Sequence, residues 1–186
     1  FDDVLGLRDE PVPAGREPLL VPVMRGGRRL DGGYDLHSAH ARFRRDLDSD
    51  ALRGVLFAQP QHTQREHGRL FPALHVLIDR LLGRGIPVIV DATNLKASMR
   101  RPYSKIAEAH GAKEVLVRVT APARVIRERL TRRSTGRAAE DRSTADAEVY
   151  EKMLADVEPI PQKHLRVDTS REFSAALDKL VTLLQS

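Results

Sequence analysis

Three polar segments of this 186-residue chain hold the side chains that could do chemistry. They are Asp48-Ser49-Asp50-Ala51-Leu52-Arg53, Val90-Asp91-Ala92-Thr93-Asn94-Leu95, and the stretch from Arg124 to Arg142. Carboxylates bind cations and take up protons, and the planar guanidinium fork suits phosphate better than a lysine ammonium does. The third segment sets seven arginines against Glu128, Glu140 and Asp141, a net charge of +4. Within it Arg129 and Arg133 stand four apart and so share one face of a helix. A solvated charged face is the usual meaning of such a run, so position has to decide. Two further patterns are weak. His37 and His40 have a spacing that can share a metal on a helix, but no third ligand accompanies them and surface residues are the simpler reading. Asp46, Asp48 and Asp50 alternate and would line one face of a strand, where a metal cluster is not expected.

The elements around these segments fix where they lie. Leu19 to Met24 is a short apolar run that predicts a first strand, with Pro22 removing one ladder donor. Leu70, Leu74, Leu77, Ile78 and Leu81 recur at helical spacing and predict an amphipathic helix over about 66–83. Ile86 to Asp91 reads as a buried strand, apolar and β-branched, ending in a carboxylate. Lys96 to His110 is predicted helical, with Pro102 in an early turn and Gly111 closing it. Glu114 to Thr120 is another strand, and Pro122 opens a helix through Val125, Ile126 and Leu130. Ala145 to Val157 is helical and His164 to Asp168 a final strand. Thr169 or Ser170 then caps a last helix, with Phe173, Leu177, Leu180, Val181 and Leu184 on one face. Strands alternating with helices give an α/β fold, its mostly parallel sheet covered on both sides. Ligands of such sheets bind beyond the carboxyl ends of the strands, which is where the three polar segments fall.

Composition removes whole classes of function. The chain has no cysteine, which excludes disulfides, thiolate catalysis and cysteine-based zinc sites. Without tryptophan, and with five Phe and three Tyr, a stacking platform for single-stranded nucleic acid is not expected. The hydrophobic fraction of 41% suits a globular domain with one core and excludes a disordered polymer. The net charge is +5 and arginine dominates it; GC-rich codon usage explains that bias, and anionic partners are the functional alternative. No secretory leader is visible behind the acidic start, so a cytoplasmic location is the default expectation. Residues 1–18 read as a flexible segment or linker remnant, and the absence of an initiator Met suggests a piece of a longer chain.

Several stretches then occur in a telling order: SDALR at 49–53, GIPVIVDATNL at 85–95, RERLTRR at 127–133, STADAEVYEKM at 143–153 and HLRVDTS at 164–170. Together they resemble the small P-loop kinases of the polynucleotide-kinase and gluconate-kinase-like group, which includes predicted kinases described as AAA-family ATPases. VDATNL after an apolar strand is the most specific piece, and the resemblance spans about 49–186. It implies a three-layer P-loop NTPase fold over 19–186 with an arginine-rich lid at about 129–145. By this resemblance Asp50 ends the second strand and accepts the proton of the substrate hydroxyl, while Arg53 holds an anionic substrate group through a bidentate contact. The plain alternative is that Asp50 caps a helix beginning at Ala51 and Arg53 is solvated. Asp91 would hold or orient Mg²⁺, with Thr93 and Asn94 facing the same crevice; an Asx turn leaving a strand is the alternative. Arg129 and Arg133 would close over the transferring phosphate, and Asp168 to Ser170 would lie near the adenine or simply cap their helix.

One motif that the resemblance requires is misspelled. A phosphate loop should read Gly-x-x-x-x-Gly-Lys-Ser/Thr just after the first strand. Gly27 and Gly32 keep the spacing, but Gly33 stands in the lysine place and Tyr34 in the hydroxyl place. The following YDLHSAHARFRR at 34–45 has only a weak apolar stripe for a helix that should pack on the sheet. Three readings stay open: a degenerate, non-catalytic relative; a cradle in which Arg25, Arg28 or Arg29 replaces the lysine; or a reading-frame shift across 25–45, the favoured one. The expected function is transfer of the ATP γ-phosphate, with Mg²⁺, to a hydroxyl of a small molecule or nucleic-acid end. The rival is a non-catalytic module that binds a nucleotide or polyanion. A weaker rival, a nucleic-acid-binding protein using its arginines, predicts affinity that falls steeply with salt.

Overall fold

In a computed structural model, the described residues are 19–25, 46–135, 147–172 and the helical positions 175, 178, 179 and 182. Six strands and five complete helices run in chain order through them: β1 (Leu19–Arg25), β2 (Asp46–Asp48), α1 (Ser49–Leu56), α2 (Gln64–Gly83), β3 (Val88–Ala92), α3 (Ala97–Ala109), β4 (Lys113–Glu114), β5 (Val117–Thr120), α4 (Ala123–Thr135), α5 (Ala147–Ala155) and β6 (Leu165–Asp168). The strands form one parallel sheet in the order β2-β3-β1-β5-β6, with β4 also on β1. The α/β expectation is met, and its parallel sheet is buried on both faces. Successive residues of a strand point to opposite faces, and Leu20 with Val21, and Val88 with Ile89, are all at most 3% exposed.

One face is covered by α2 and α3. Leu74, Ile78, Leu81 and Leu82 of α2 and Tyr103 and Ala107 of α3 close a core over Leu20, Val88 and Val90. Leu70, Leu74 and Ile78 are fully buried, the stripe that the spacing of leucines predicts. Helix α2 starts two residues before the predicted boundary because Thr63 caps it, its hydroxyl accepting from Glu66 N. Left-handed glycines end the turns that follow the two helices, Gly85 at φ 69° and Gly111 at φ 58°.

The strand expected over 114–120 is split in two. Leu20 O accepts from Val115 N, so the even positions of β1 turn their peptide groups toward this strand. Pro22 is the next even position and has no N–H to give, and β1 pairs β4 at Leu19–Leu20 and β5 only from Val23. Helices α4 and α5 pack together through Ile126, Leu130 and Tyr150, joined at the surface by Arg127 to Glu151.

Candidate active site

The carboxyl ends of the strands meet around β1, where the chain order reverses and ligands of such sheets bind. Asp48 at the end of β2 is in register with Asp91 of β3, and Asp91 with Val23 of β1. On the other side of β1, Thr120 of β5 is in register with Asp168 of β6. A carboxylate pair thus stands on one side of the β1 end and a hydroxyl–carboxylate pair on the other.

Asp50 is not at a strand end. β2 stops at Asp48, two residues earlier, and Asp50 lies in the first turn of α1. Nor does Asp50 cap that helix. Asp48 does, its Oδ1 accepting from Asp50 N at 2.8 Å and Ala51 N at 3.1 Å. Either carboxylate could stop the helix, but only the one in extended backbone can turn its oxygen onto the first free amides. Sequence reasoning set Asp48 among alternating aspartates and missed the cap; its place three residues before Ala51, where the apolar part of the helix begins, was the available signal.

Asp50 instead lines an open cleft of about 420 Å³ with Ala51, Arg53, Gly54, Val55, Pro60 and His62. Arg53 forms part of the floor. It is neither solvated nor poised as a bidentate clamp: its side chain is 3% exposed and Nη1 donates to Glu66 Oε2 at 2.9 Å. Its Nε is buried without a partner, so the side-on fork is sealed, and an end-on contact has to share Nη1 with Glu66. Glu66 also accepts from Gln61 N at 2.9 Å and His62 N at 2.8 Å, which fastens the turn where His62 sits at φ 55°. Those backbone donors, Gln61 first, together with Arg53, hold the Glu66 carboxyl below its usual range. His67 is shifted downward as well, by burial first and then by Arg53 and His62.

Asp91 is half-buried beside Asp48, with Thr93 exposed beyond it. Asn94 is 1% exposed and takes a left-handed φ of 45°, an excursion that asparagine tolerates. The turn is held from behind by Arg100, whose Nη1 donates to Asn94 O at 3.1 Å and Leu95 O at 2.6 Å and whose Nη2 donates to Pro159 O at 2.9 Å. Among the described residues no cluster of three or more His, Cys, Asp or Glu could hold a metal. Two adjacent carboxylates suit Mg²⁺, which takes one or two and completes its shell with water and phosphate oxygens.

Arg129 is anchored across the other half of the crevice. Its Nη1 donates to Thr169 Oγ1 at 3.0 Å and its Nη2 to Thr169 O at 2.7 Å. Thr169 is buried and ties β6 to β5, its N–H reaching Thr120 O at 2.8 Å; the start of the last helix, which Thr169 or Ser170 is expected to cap, lies outside the described residues. Asp168 makes an Asx turn instead, accepting from Ser170 N and Oγ. Arg124 pairs with Glu128 and Arg127 with Glu151, as solvated helix surfaces do. Gly27, Gly32, Gly33, Tyr34, His37, His40, the side chain of Arg133, residues 1–18, the lid beyond Thr135 and the stripe from Phe173 to Leu184 lie outside the described residues.

A family model described as AAA domain matches residues 35–160, beginning at Asp35, just past the misspelled loop. No curated protein sequence matches the chain. The fold is similar to that of several solved structures. The Mycobacterium tuberculosis APS kinase CysC, in complex with AMPPNP and APS, is 17% identical with a TM-score of 0.62, over 92% of this chain and 99% of that one. Kti12 of Chaetomium thermophilum, in complex with ADP-AlF3, is 19% identical with a TM-score of 0.64, over 90% and 97%. A gluconokinase from Sinorhizobium meliloti is 21% identical with a TM-score of 0.57, over 91% and 97%. The α/β fold is therefore that of the P-loop kinases.

Proposed function

The chain belongs to the AAA domain family, and from that premise we propose that it is an ATP-dependent phosphotransferase acting on a hydroxyl group. The observation that carries the reading is the register of Asp48 with Asp91 beside the end of β1, next to the cleft that Asp50 lines. The nucleotide complexes of the two similar proteins support ATP as the donor.

In this reading the acceptor hydroxyl lies in the cleft and gives its proton to the Asp50 carboxylate. Its oxygen forms a bond to the γ-phosphorus as the bond from that phosphorus to the bridging oxygen breaks, leaving ADP. A carboxylate placed for this contributes about 10²- to 10⁴-fold. Asp91, with Asp48 beside it, would hold Mg²⁺, which supplies neutralisation of the phosphate charge. Thr93 and Asp168 border the nucleotide, the buried Asn94 and Thr169 hold the turns that carry them, and Gly27, Gly32 and Gly33 form what remains of the phosphate cradle. Arg129 and Arg133 face the transferring phosphate on closure; Arg129 then exchanges Thr169 for phosphate oxygens. Arg53 acts through Glu66 by positioning the turn at 61–62 rather than by gripping substrate. A cytoplasmic location belongs to the same proposal.

One observation favours a second reading, a non-catalytic nucleotide-binding module: Gly33 and Tyr34 replace the lysine and hydroxyl of the phosphate loop. Titration with Mg·ATP, followed by product analysis with a hydroxyl acceptor, separates the two. Turnover that falls about 10²- to 10⁴-fold in Asp50→Asn while Mg·ATP affinity is kept supports the enzyme. Binding without turnover in the unaltered chain supports the module, and turnover unaffected by Asp50→Asn removes Asp50 as the base.

A further inference from the structure

The charge of the cleft beside α1 restricts the acceptor. We propose that it takes a non-anionic polyhydroxyl ring, an uncharged or amine-bearing sugar, and discriminates against phosphorylated, sulfated and carboxylated acceptors and against nucleic-acid ends. This rests on the phosphotransfer reading for its purpose but on separate geometry for its content.

Among the described residues that line the cleft, Arg53 is the one guanidinium and Asp50 the one carboxylate. Among these residues an anionic acceptor would turn to Arg53, but Nη1 is engaged by Glu66 at 2.9 Å and Nε is sealed in the protein, so neither two-point fork is free. Glu66 cannot easily swing away, because its two oxygens also accept from Gln61 N and His62 N. The Arg53–Glu66 pair therefore carries no net charge, and Asp50 makes the described lining of the cleft negative. The amino end of α1, otherwise a place for an anion, is occupied by the Asp48 carboxylate at 2.8 Å from Asp50 N. A second negative group would thus face Asp50 with no free fork among the described residues to offset it. What remains suits a sugar. Asp50 and His62 offer hydrogen-bonding groups to hydroxyls, and Ala51, Gly54, Val55 and Pro60 add apolar lining that the C–H face of a ring could meet. Val55 is 73% exposed.

The test is an NMR titration of the full chain, following the backbone amides of Ala51, Gly54 and His62 with ring-matched probes: glucose, glucosamine and glucuronate, with inorganic sulfate as the bare anion. Glucose and glucosamine should bind about tenfold or more tightly than glucuronate, and sulfate should not move these amides. Anions that bind as well as glucose, or amides that neither glucose nor glucosamine moves, overturn the proposal. Glu66→Gln releases Arg53 and should raise glucuronate affinity about tenfold. The Arg53→Met/Glu66→Gln pair removes both charges, keeps the core filled if the single variant fails to fold, and should retain the unaltered ranking; a reversed ranking there also refutes the argument. Mg·ATP binding is followed in the same samples through amides of Thr93 and Thr169. Its absence sinks the phosphotransfer reading and leaves the charge selectivity of the cleft standing or falling on the sugar titrations.

Discussion

Arg100 should be a hinge-pin for the turn that carries Thr93 and Asn94, and its replacement by methionine puts a number on that role. The side chain is 6% exposed and gives three hydrogen bonds to carbonyls of Asn94, Leu95 and Pro159, joining the end of β3 to the segment that leads into β6. Methionine keeps the apolar stem and strands two buried acceptors and a third that is part-buried. Hydrogen bonds from a charged donor are worth about 1.5–3 kcal/mol each, which would give at least 4.5 kcal/mol if they simply added. They do not add, because the buried guanidinium also loses hydration, and burial is the leading reason that its pKa is lowered. A net loss of about 2–4 kcal/mol is expected, or roughly 5–15 °C in Tm for a chain of this size. Urea unfolding of Arg100→Met checks it, with an unchanged slope showing that the unfolded state is not the cause. Arg100→Lys should fall between the two, since one ammonium cannot span three carbonyls in two segments. A loss below about 0.5 kcal/mol for the methionine variant, the level of an ordinary surface change, would refute the reasoning.

Asp48→Ala should cost about 1 kcal/mol through loss of the α1 cap, whereas Asp48→Asn keeps an acceptor and the stability but should lower Mg²⁺-dependent turnover; equal turnover in Asp48→Asn and the unaltered chain would remove Asp48 from the metal site. Gly111→Ala should cost about 1 kcal/mol purely from its left-handed backbone, because an added Cβ meets nothing within 4 Å; an unchanged denaturation midpoint would contradict that. Stability should decline as pH falls below about 6.5, since His67 and His75 have folded pKa values lowered chiefly by burial, and the unfolded chain then binds more protons than the folded one. The decline runs from the unfolded value down through the folded ones and should flatten in His67→Gln/His75→Gln; a slope unchanged in that variant assigns it elsewhere.

Periodicity carried most of the fold. The leucines of α2 and the apolar, β-branched run of β3 were legible because burial demands a repeat that sequence displays directly. The break between β4 and β5 was not, although its cause, Pro22, was visible; which strand a proline fails to serve depends on which neighbour its N–H position faces. The site divides in the same way. Asp91 at the close of an apolar run is a local pattern, and it lies where that pattern puts it, with the strand extending one residue further to Ala92.

The remaining assignments are questions of partnership. Asp48 and Asp50 have one residue type and nearly one context, and only the end of β2 at Asp48 decides which of them caps α1 and stands beside Asp91. Arg53 reads as a free cation until Glu66, thirteen positions along, is folded against it. Arg129 reads as one arginine of a charged run, and nothing in that run shows the bond it makes to Thr169, forty positions along. By itself the sequence determined the alternation of strands and helices, the apolar stripes and the stretches that reach the carboxyl edge of the sheet, because each follows from spacing along the chain. The tertiary structure alone decided which charges are neutralised and which face the cleft, because an ion pair depends on distance in space, which sequence separation does not encode.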